Sequence, residues 1–293
     1  MSVVDTFKNF RDSLVITEDE LNFVANCRRK VISHLNAFFW TNNSETQNAI
    51  DYGSYTRGTA VFGASDIDIG FKLPVEIFAK FDAMEVGRQS AFLELLRSTL
   101  VDLDPDAEIK RFSGSVSFSI EGSDLIDVRP FFSVGGKDIY PDIRAKEEWR
   151  SFSSDLSQRT FEAKNTETKE NLAFICRAAR CWRVTMNAPI SGMLIDTLAY
   201  EFIDKSLYRT MAPIYQDCLI RDFFGYMAQL DPEQEFWYAP GSIESVLRTG
   251  PFEEVADQAY ALSEQAIDHS RNRQDRQSWA KWREIFGEKF ISP

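Results

Sequence analysis

Residues 52–73 read Tyr52-Gly-Ser-Tyr-Thr-Arg-Gly-Thr-Ala60, Val61-Phe-Gly-Ala64 and Ser65-Asp-Ile-Asp-Ile-Gly-Phe-Lys-Leu73. Gly53-Ser54 opens a short segment that can turn into a helix. Asp66 and Asp68 follow, separated by Ile67, inside an apolar run of period two. Alternation along a strand puts residues i and i+2 on one face, so the two carboxylates point the same way while Ile67 and Ile69 point into a core. Like charges so placed repel, and left unpaired they would titrate high. A divalent cation relieves the repulsion, and hard oxygen ligands suit Mg²⁺.

Alone, Asp-x-Asp is an exposed strand end or turn, and alone Gly-Ser is a loop. Together they are more specific: a Gly-Ser backbone at a helix start can hold phosphates, and the carboxylates would hold the metal that bridges them. The combination resembles the nucleotidyltransferase signature of the polymerase-beta-like superfamily. Gly53-Ser-x-x-Arg-Gly-Thr-Ala60 followed by Ser65-Asp-Ile-Asp68 is most similar to the bacterial cyclic-oligonucleotide synthases, relatives of cyclic GMP–AMP synthase and oligoadenylate synthase.

The chain's 293 residues suffice for one large or two modest domains, and 44% hydrophobic residues with 24 Phe supply a sizeable core. There is no apolar run of about 20 residues to span a membrane, nor an apolar signal core near the N-terminus. Cys27, Cys176, Cys181 and Cys218 are scattered, and with two histidines they make no zinc pattern. They are expected to be buried thiols in a reducing, cytoplasmic setting.

Thr17-Glu-Asp-Glu20 reads as a capping box. Leu21, Val24, Val31, Leu35 and Phe38 then follow one helical face up to about Asn42. This helix braces the sheet, and His34 within it is structural. Pro74 closes the strand that carries Asp68. A second helix spans about Gly87–Leu100, with Phe92, Leu95, Leu96 and Leu100 as its buried stripe. An acidic turn at Asp102–Asp106 leads to strands at Ala107–Phe112, Val116–Ile120 and Leu125–Pro130, punctuated by Gly114, Gly122 and Gly135-Gly136.

In Leu125-Ile-Asp-Val-Arg-Pro130, Asp127 lies between apolar neighbours, which places it on a sheet although Asp is a poor strand former. One reading pairs it with Arg129 or Arg111. The other makes it the third metal ligand, as the family's hydrophobic-Asp-x-x-Pro segment implies. Glu121 and Asp124 fall in the preceding turn and are set aside. Beyond Ile139-Tyr-Pro-Asp142 and Trp149, Gly becomes scarcer and helical periodicity dominates. A helix opens at Thr166–Glu170 and carries Leu172, Ile175, Ala179 and Trp182. Asn187-Ala-Pro189 breaks it, and Ser191 caps a helix holding Leu194, Leu198 and Phe202. Further helices fall at about Tyr215–Leu230, Phe252–His269 and Arg273–Phe286. The aromatic segment Glu235–Gly241 packs helices or closes a cleft.

The expected fold class is α+β: a two-lobed nucleotidyltransferase, with a mixed β-sheet catalytic lobe over 1–150 packed on a helical lobe over 151–293 that closes the nucleotide cleft. The resemblance implies nucleotide binding by Gly53, Ser54, Arg180 and Ser191. The family usually has Lys where Arg180 stands, and a solvated helix face is the alternative for Arg177, Arg180 and Arg183. It also implies two metal ions, Mg²⁺ or Mn²⁺, on Asp66, Asp68 and Asp127, with Asp127 also a candidate general base. Nucleoside triphosphates, ATP or GTP among them, would yield a cyclic di- or oligonucleotide messenger that a downstream effector binds, in anti-phage signalling. Two alternatives remain: an RNA-end or protein nucleotidyltransferase, and a catalytically silent nucleotide-binding module. The three carboxylates weigh against the silent module. A net charge of −12, from 45 acidic and 33 basic residues, is a poor surface for a polyanion. No nucleic-acid activator is therefore expected, and control would fall to a protein or small molecule if the enzyme is not constitutively active.

Overall fold

The structure is a computed structural model that describes residues 3–291 apart from 105–106, 108, 112–113, 121–124, 144–145 and 152–153. Part of the expected acidic turn, and both Glu121 and Asp124, lie outside the described residues. The chain divides into two compact units, one of Met1–Ile16, Arg57–Ser65 and Asp155–Pro293, the other of Thr17–Thr56 and Asp66–Ser154. The expected boundary at 150 falls close to the last crossing. Residues 1–16 and 57–65, expected with the sheet, belong to the helical unit.

The chain opens with helix α1 (Val3–Ser13), which belongs to the helical unit. The sheet unit begins with α2 (Glu18–Trp40). Its capping box is complete: Glu20 N–H donates to Thr17 Oγ1 at 3.3 Å and Thr17 N–H donates to Glu20 Oε2 at 2.7 Å. Thr41, at φ +53, ends the helix near the expected place. Val24, Val31 and Leu35 are buried as the stripe requires, but Leu21 and Phe38 are about half exposed, and Phe39 is buried instead. The stripe therefore drifts round the helix over its 23 residues, as 3.6-residue turns do.

The short strand β1 (Ala49–Asp51) and the one-turn helix α3 (Ser54–Arg57) precede β2 (Ile67–Lys72). Helices α4 (Val75–Asp82) and α5 (Arg88–Val101) follow. On α5, Phe92, Leu93, Leu96 and Leu100 are buried, whereas Leu95 is only partly so. The three expected strands are β3 (Lys110–Arg111), β4 (Val116–Phe118) and β5 (Ile126–Val134), the last longer than expected. Strands β6 (Lys137–Asp142) and β7 (Glu148–Ser151) complete the unit. Among the described residues, seven strands form one mixed sheet in the order β1-β2-β5-β4-β3, with β6 pairing the far half of β5 and β7 beside it. Among the described residues only β2 and β5 run parallel, and α4 and α5 lie in the crossover that such a pairing needs. Ile67, Ile69, Val116, Phe118, Ile126 and Val128 are all buried, so one face of β2, β5 and β4 is core and the other carries the polar residues between them.

The helical unit continues with α6 (Ser154–Glu167), α7 (Asn171–Thr185) and α8 (Gly192–Ile203). Thr166–Glu170, expected to open α7, instead ends α6: Lys169 and Glu170 take positive φ and break the chain between two helices. Next come α9 (Gln216–Ala228), the hairpin of β8 (Phe236–Tyr238) and β9 (Ser245–Leu247), α10 (Glu253–Arg271) and α11 (Asp275–Phe286). Helix α7 is buried nearly all round, as a central helix must be. Phe7 and Phe10 of α1 pack on Trp282, Phe286 and Phe290, and Val61 joins the same core. The aromatic segment packs through Trp237, while Phe236 and Tyr238 point outward. The four cysteines are free thiols. Burial pushes Cys181 up to about 12 and raises Cys176 well above the usual range, so neither is a ready nucleophile.

Candidate active site

Alternation and register build the site on the sheet. Asp68 of β2 stands opposite Asp127 of β5, and Asp127 stands opposite Ser117 of β4. Their chain neighbours are buried in the core, so all three side chains share the other face. Ser117 Oγ donates to Asp127 Oδ1. That hydroxyl leaves the Asp127 carboxylate further lone pairs for other ligands, and the Arg111 side chain, one of the two arginines weighed as its partner, lies outside the described residues. Asp66 sits just before β2 and is exposed, while Asp68 is half-buried.

Gly53 approaches from the other side. It takes φ +83, and a Cβ there would overlap Oδ2 of Asp68. Only glycine meets both demands, so the Gly53-Ser54 turn lies directly against the Asp68 carboxylate. Ser54, 6% exposed, starts α3 behind it. Helix α2 contributes a residue that was missed: Arg28 donates to the Asp68 carbonyl at 2.7 Å and pairs with Asp51 of β1. Burial lowers the pKa of Arg28, against the pull of nearby Asp68 and Tyr52. Nothing in Cys27-Arg-Arg-Lys30 distinguishes it by sequence. Ser117 was legible in principle, since it is a polar residue between two apolar ones in a short strand.

Gly53, Ser54, Asp66, Asp68 and Asp127 belong to the sheet unit, and Arg180 and Ser191 to the helical unit. Ser191 is the N-cap of α8, accepting from Leu194 N–H at 3.2 Å. Arg180 is 1% exposed, so it is not on a solvated face, and it donates to Asp196 Oδ1 at 2.6 Å, to the Gly192 carbonyl at 3.1 Å and to the Cys176 carbonyl at 3.2 Å. Asp196 also receives Arg57 Nε and Thr59 Oγ1, each at 3.0 Å. Burial alone would raise the Asp196 pKa; the guanidiniums of Arg180 and Arg57 outweigh it and bring the carboxyl down to about 2. Arg183 donates to the Ala64 carbonyl at 2.6 Å and Arg177 is half-buried, so these three arginines do not form a fully solvated face. Asp196 was legible as a charge inside Leu194-Ile-Asp-Thr-Leu198.

Among the described residues no three carboxylate, thiol or imidazole side chains gather closely enough to hold an ion by themselves. The donor set nevertheless suits Mg²⁺. It consists of carboxylate oxygens, with Asp68 and Asp127 in one register beside the Gly53-Ser54 turn, and Mg²⁺ is commonly held by one or two carboxylates with substrate phosphates and water completing the shell.

A mixed sheet carrying Asp68 and Asp127 in register, with a Gly-Ser turn against the first, defines a nucleotidyltransferase. The chain belongs to the family of the Second Messenger Oligonucleotide or Dinucleotide Synthetase domain, whose model matches residues 1–165. The fold is that of solved cyclic-nucleotide synthases. CdnC of E. coli MS115-1, in its complex with HORMA-deltaN, is 15% identical with TM-score 0.66, and the match covers 98% of each chain. CdnG of Bradyrhizobium diazoefficiens in complex with GTP is 12% identical with TM-score 0.65, covering 98% of this chain and 95% of that one. The Vibrio cholerae cyclic AMP-GMP synthase DncV, in complex with the linear intermediate pppA(3′,5′)pG, is 12% identical with TM-score 0.64, covering 98% and 88%. No curated protein matches the chain significantly. No helix among the described residues is long and apolar enough to cross a membrane.

Proposed function

We propose that this enzyme joins nucleoside triphosphates into a cyclic di- or oligonucleotide messenger, and that it serves anti-phage signalling in the cytoplasm. The observation that carries the chemistry is the register of Asp68 with Asp127 beside the Gly53-Ser54 turn. In each transfer an acceptor hydroxyl oxygen bonds the donor α-phosphorus, the bond from that phosphorus to the pyrophosphate oxygen breaks, and pyrophosphate leaves. Asp127 takes the hydroxyl proton. The Gly53-Ser54 turn holds donor phosphates, and Ser191, expected to contact them, caps α8 in the helical unit. Arg180, expected to join them, acts instead through Asp196 as packing. Asp66 and Asp68 would hold one Mg²⁺ or Mn²⁺ and share a second with Asp127. When bound, such ions lower the pKa of the acceptor hydroxyl and offset charge on the transferring phosphoryl group. A second transfer within the linear product closes the ring.

GTP in the CdnG complex and the linear intermediate in the DncV complex support nucleoside triphosphates as substrates, and HORMA-deltaN in the CdnC complex supports a protein regulator. The test is incubation of the purified protein with each radiolabelled nucleoside triphosphate, alone and mixed, with Mg²⁺ or Mn²⁺. A phosphatase-resistant product is expected. Linear, phosphatase-sensitive product would refute ring closure, and incorporation into added RNA or protein would replace the messenger reading.

A further inference from the structure

Arg129 is the second residue after Asp127 on β5, on the same face by alternation, and stands opposite Gly70 in the parallel register that sets Asp127 opposite Asp68. Its guanidinium carbon lies 5.0 Å from the ring centroid of Tyr140 and 5.5 Å from that of Tyr52. Tyr140, on β6, is 4% exposed and packs with Phe131, and Tyr52 and Ile50 close the same small cluster. Tyr52 is the residue immediately before Gly53. One side of the turn is thus pressed on Asp68, and the other is anchored to a cation between two aromatic faces.

We infer that Arg129 is a positioning residue for nucleotide transfer: its guanidinium, held between Tyr52 and Tyr140, fixes the Gly53-Ser54 turn against Asp68 and so presets the triphosphate site. Rings attract a guanidinium through their negative faces, most strongly where water is kept away, and Tyr140 is nearly dry. The turn itself is four residues of helix and a positive-φ glycine, with little intrinsic rigidity of its own. A tethered Tyr52 removes conformations that the turn would otherwise lose on binding substrate. The inference rests on the nucleotide-binding reading for its consequence and on the cluster alone for its structural part.

The test compares Arg129→Met, which keeps an apolar stem and removes the charge, with Tyr52→Leu, which removes the ring face, and Tyr52→Phe, which keeps it. Hydrogen exchange over residues 52–57 should quicken about tenfold in Arg129→Met and Tyr52→Leu, with the rest of the sheet unchanged, and stay within about twofold of wild type in Tyr52→Phe. Affinity for a non-cleavable α,β-methylene nucleoside triphosphate, and KM in synthesis, should weaken about tenfold in the same two variants, with kcat within about twofold. The double variant should be no worse than the poorer single one. Unchanged exchange over 52–57, general loosening of the sheet, or a Tyr52→Phe defect equal to Tyr52→Leu would each overturn the inference. If exchange responds as expected but wild type binds no nucleoside triphosphate, the positioning stands as structure and the nucleotide reading is what fails. If wild type binds and both variants bind equally well, the positioning role fails alone.

Discussion

Asp127 in the sheet unit and Asp196 in the helical unit are both carboxylates with apolar chain neighbours, and their surroundings differ in kind. Asp196 is fully buried and receives two guanidiniums and a hydroxyl. Its charge is neutralised where it sits. Asp127 is half-buried, takes a hydrogen bond from Ser117, and has a second carboxylate, Asp68, in its register. A buried charge fully matched by protein partners holds a fold together. Like charges brought side by side on a half-open face are a cost to the fold, and such a cost points to a ligand that lies outside the chain.

The comparison breaks most visibly if Asp66→Asn and Asp68→Asn behave like surface changes. Each keeps the shape and removes a charged ligand, so kcat should fall roughly 10³-fold, the scale of several kcal/mol of lost charge stabilisation. The melting temperature without metal should be unchanged or slightly higher, because repulsion is relieved. Turnover near wild type in the double variant would move the metal site elsewhere.

Asp196→Ala should do the reverse. It leaves Arg180 and Arg57 without their shared buried anion, and denaturant titration should register a loss of about 3–5 kcal/mol. The same pair predicts an acid response. The Asp196 pKa is held at about 2, below its ordinary value, so its contribution is complete above the ordinary carboxylate range and lost as pH falls toward 2. Asp196→Asn should flatten that part of the stability profile. An unchanged profile between pH 4 and 2 would show that other groups set the acid limit.

A smaller effect separates backbone from charge. Gly53→Ala forces a side chain into left-handed backbone and against Asp68, at about 1–3 kcal/mol, so both turnover and melting temperature should fall. If only stability changed, the turn would not belong to the site. Ser54→Ala should weaken triphosphate affinity by about 1.5 kcal/mol, the value of one hydrogen bond to a charged group, read by calorimetry. Equal affinity would remove Ser54 from the phosphate contacts. The smallest expected effect is none. With a net charge of −12, long double-stranded DNA or RNA at low ionic strength should not stimulate synthesis. Strong stimulation that fades with salt would show a basic face strong enough to override the total charge.

Much of the sheet site was legible because period two is a local signal: it put Asp68 and Asp127 on strands with buried neighbours, and β2 and β5 are where they were expected. The caps at Thr17 and Ser191 were legible for the same reason, since a cap bonds only three residues on. Partners distant in sequence were not. The sequence around Arg180 does not show that Asp196 pairs with it, and α2 shows its apolar stripe without showing that Arg28 reaches the Asp68 carbonyl. The break between α6 and α7 rests on positive φ at Lys169 and Glu170, residue types that give no such warning. Nor does periodicity reveal which unit a segment joins, so 57–65 could not be placed with the helices.

The packing of α1 on the end of the chain also sets a timetable. Phe7 and Phe10 leave the ribosome well before their partners Trp282, Phe286 and Phe290. At typical synthesis rates the interval is on the order of 15 to 55 s. For that long α1 lacks the aromatic surface it rests on, and its own aromatic face stays uncovered until residues 282–290 have been made.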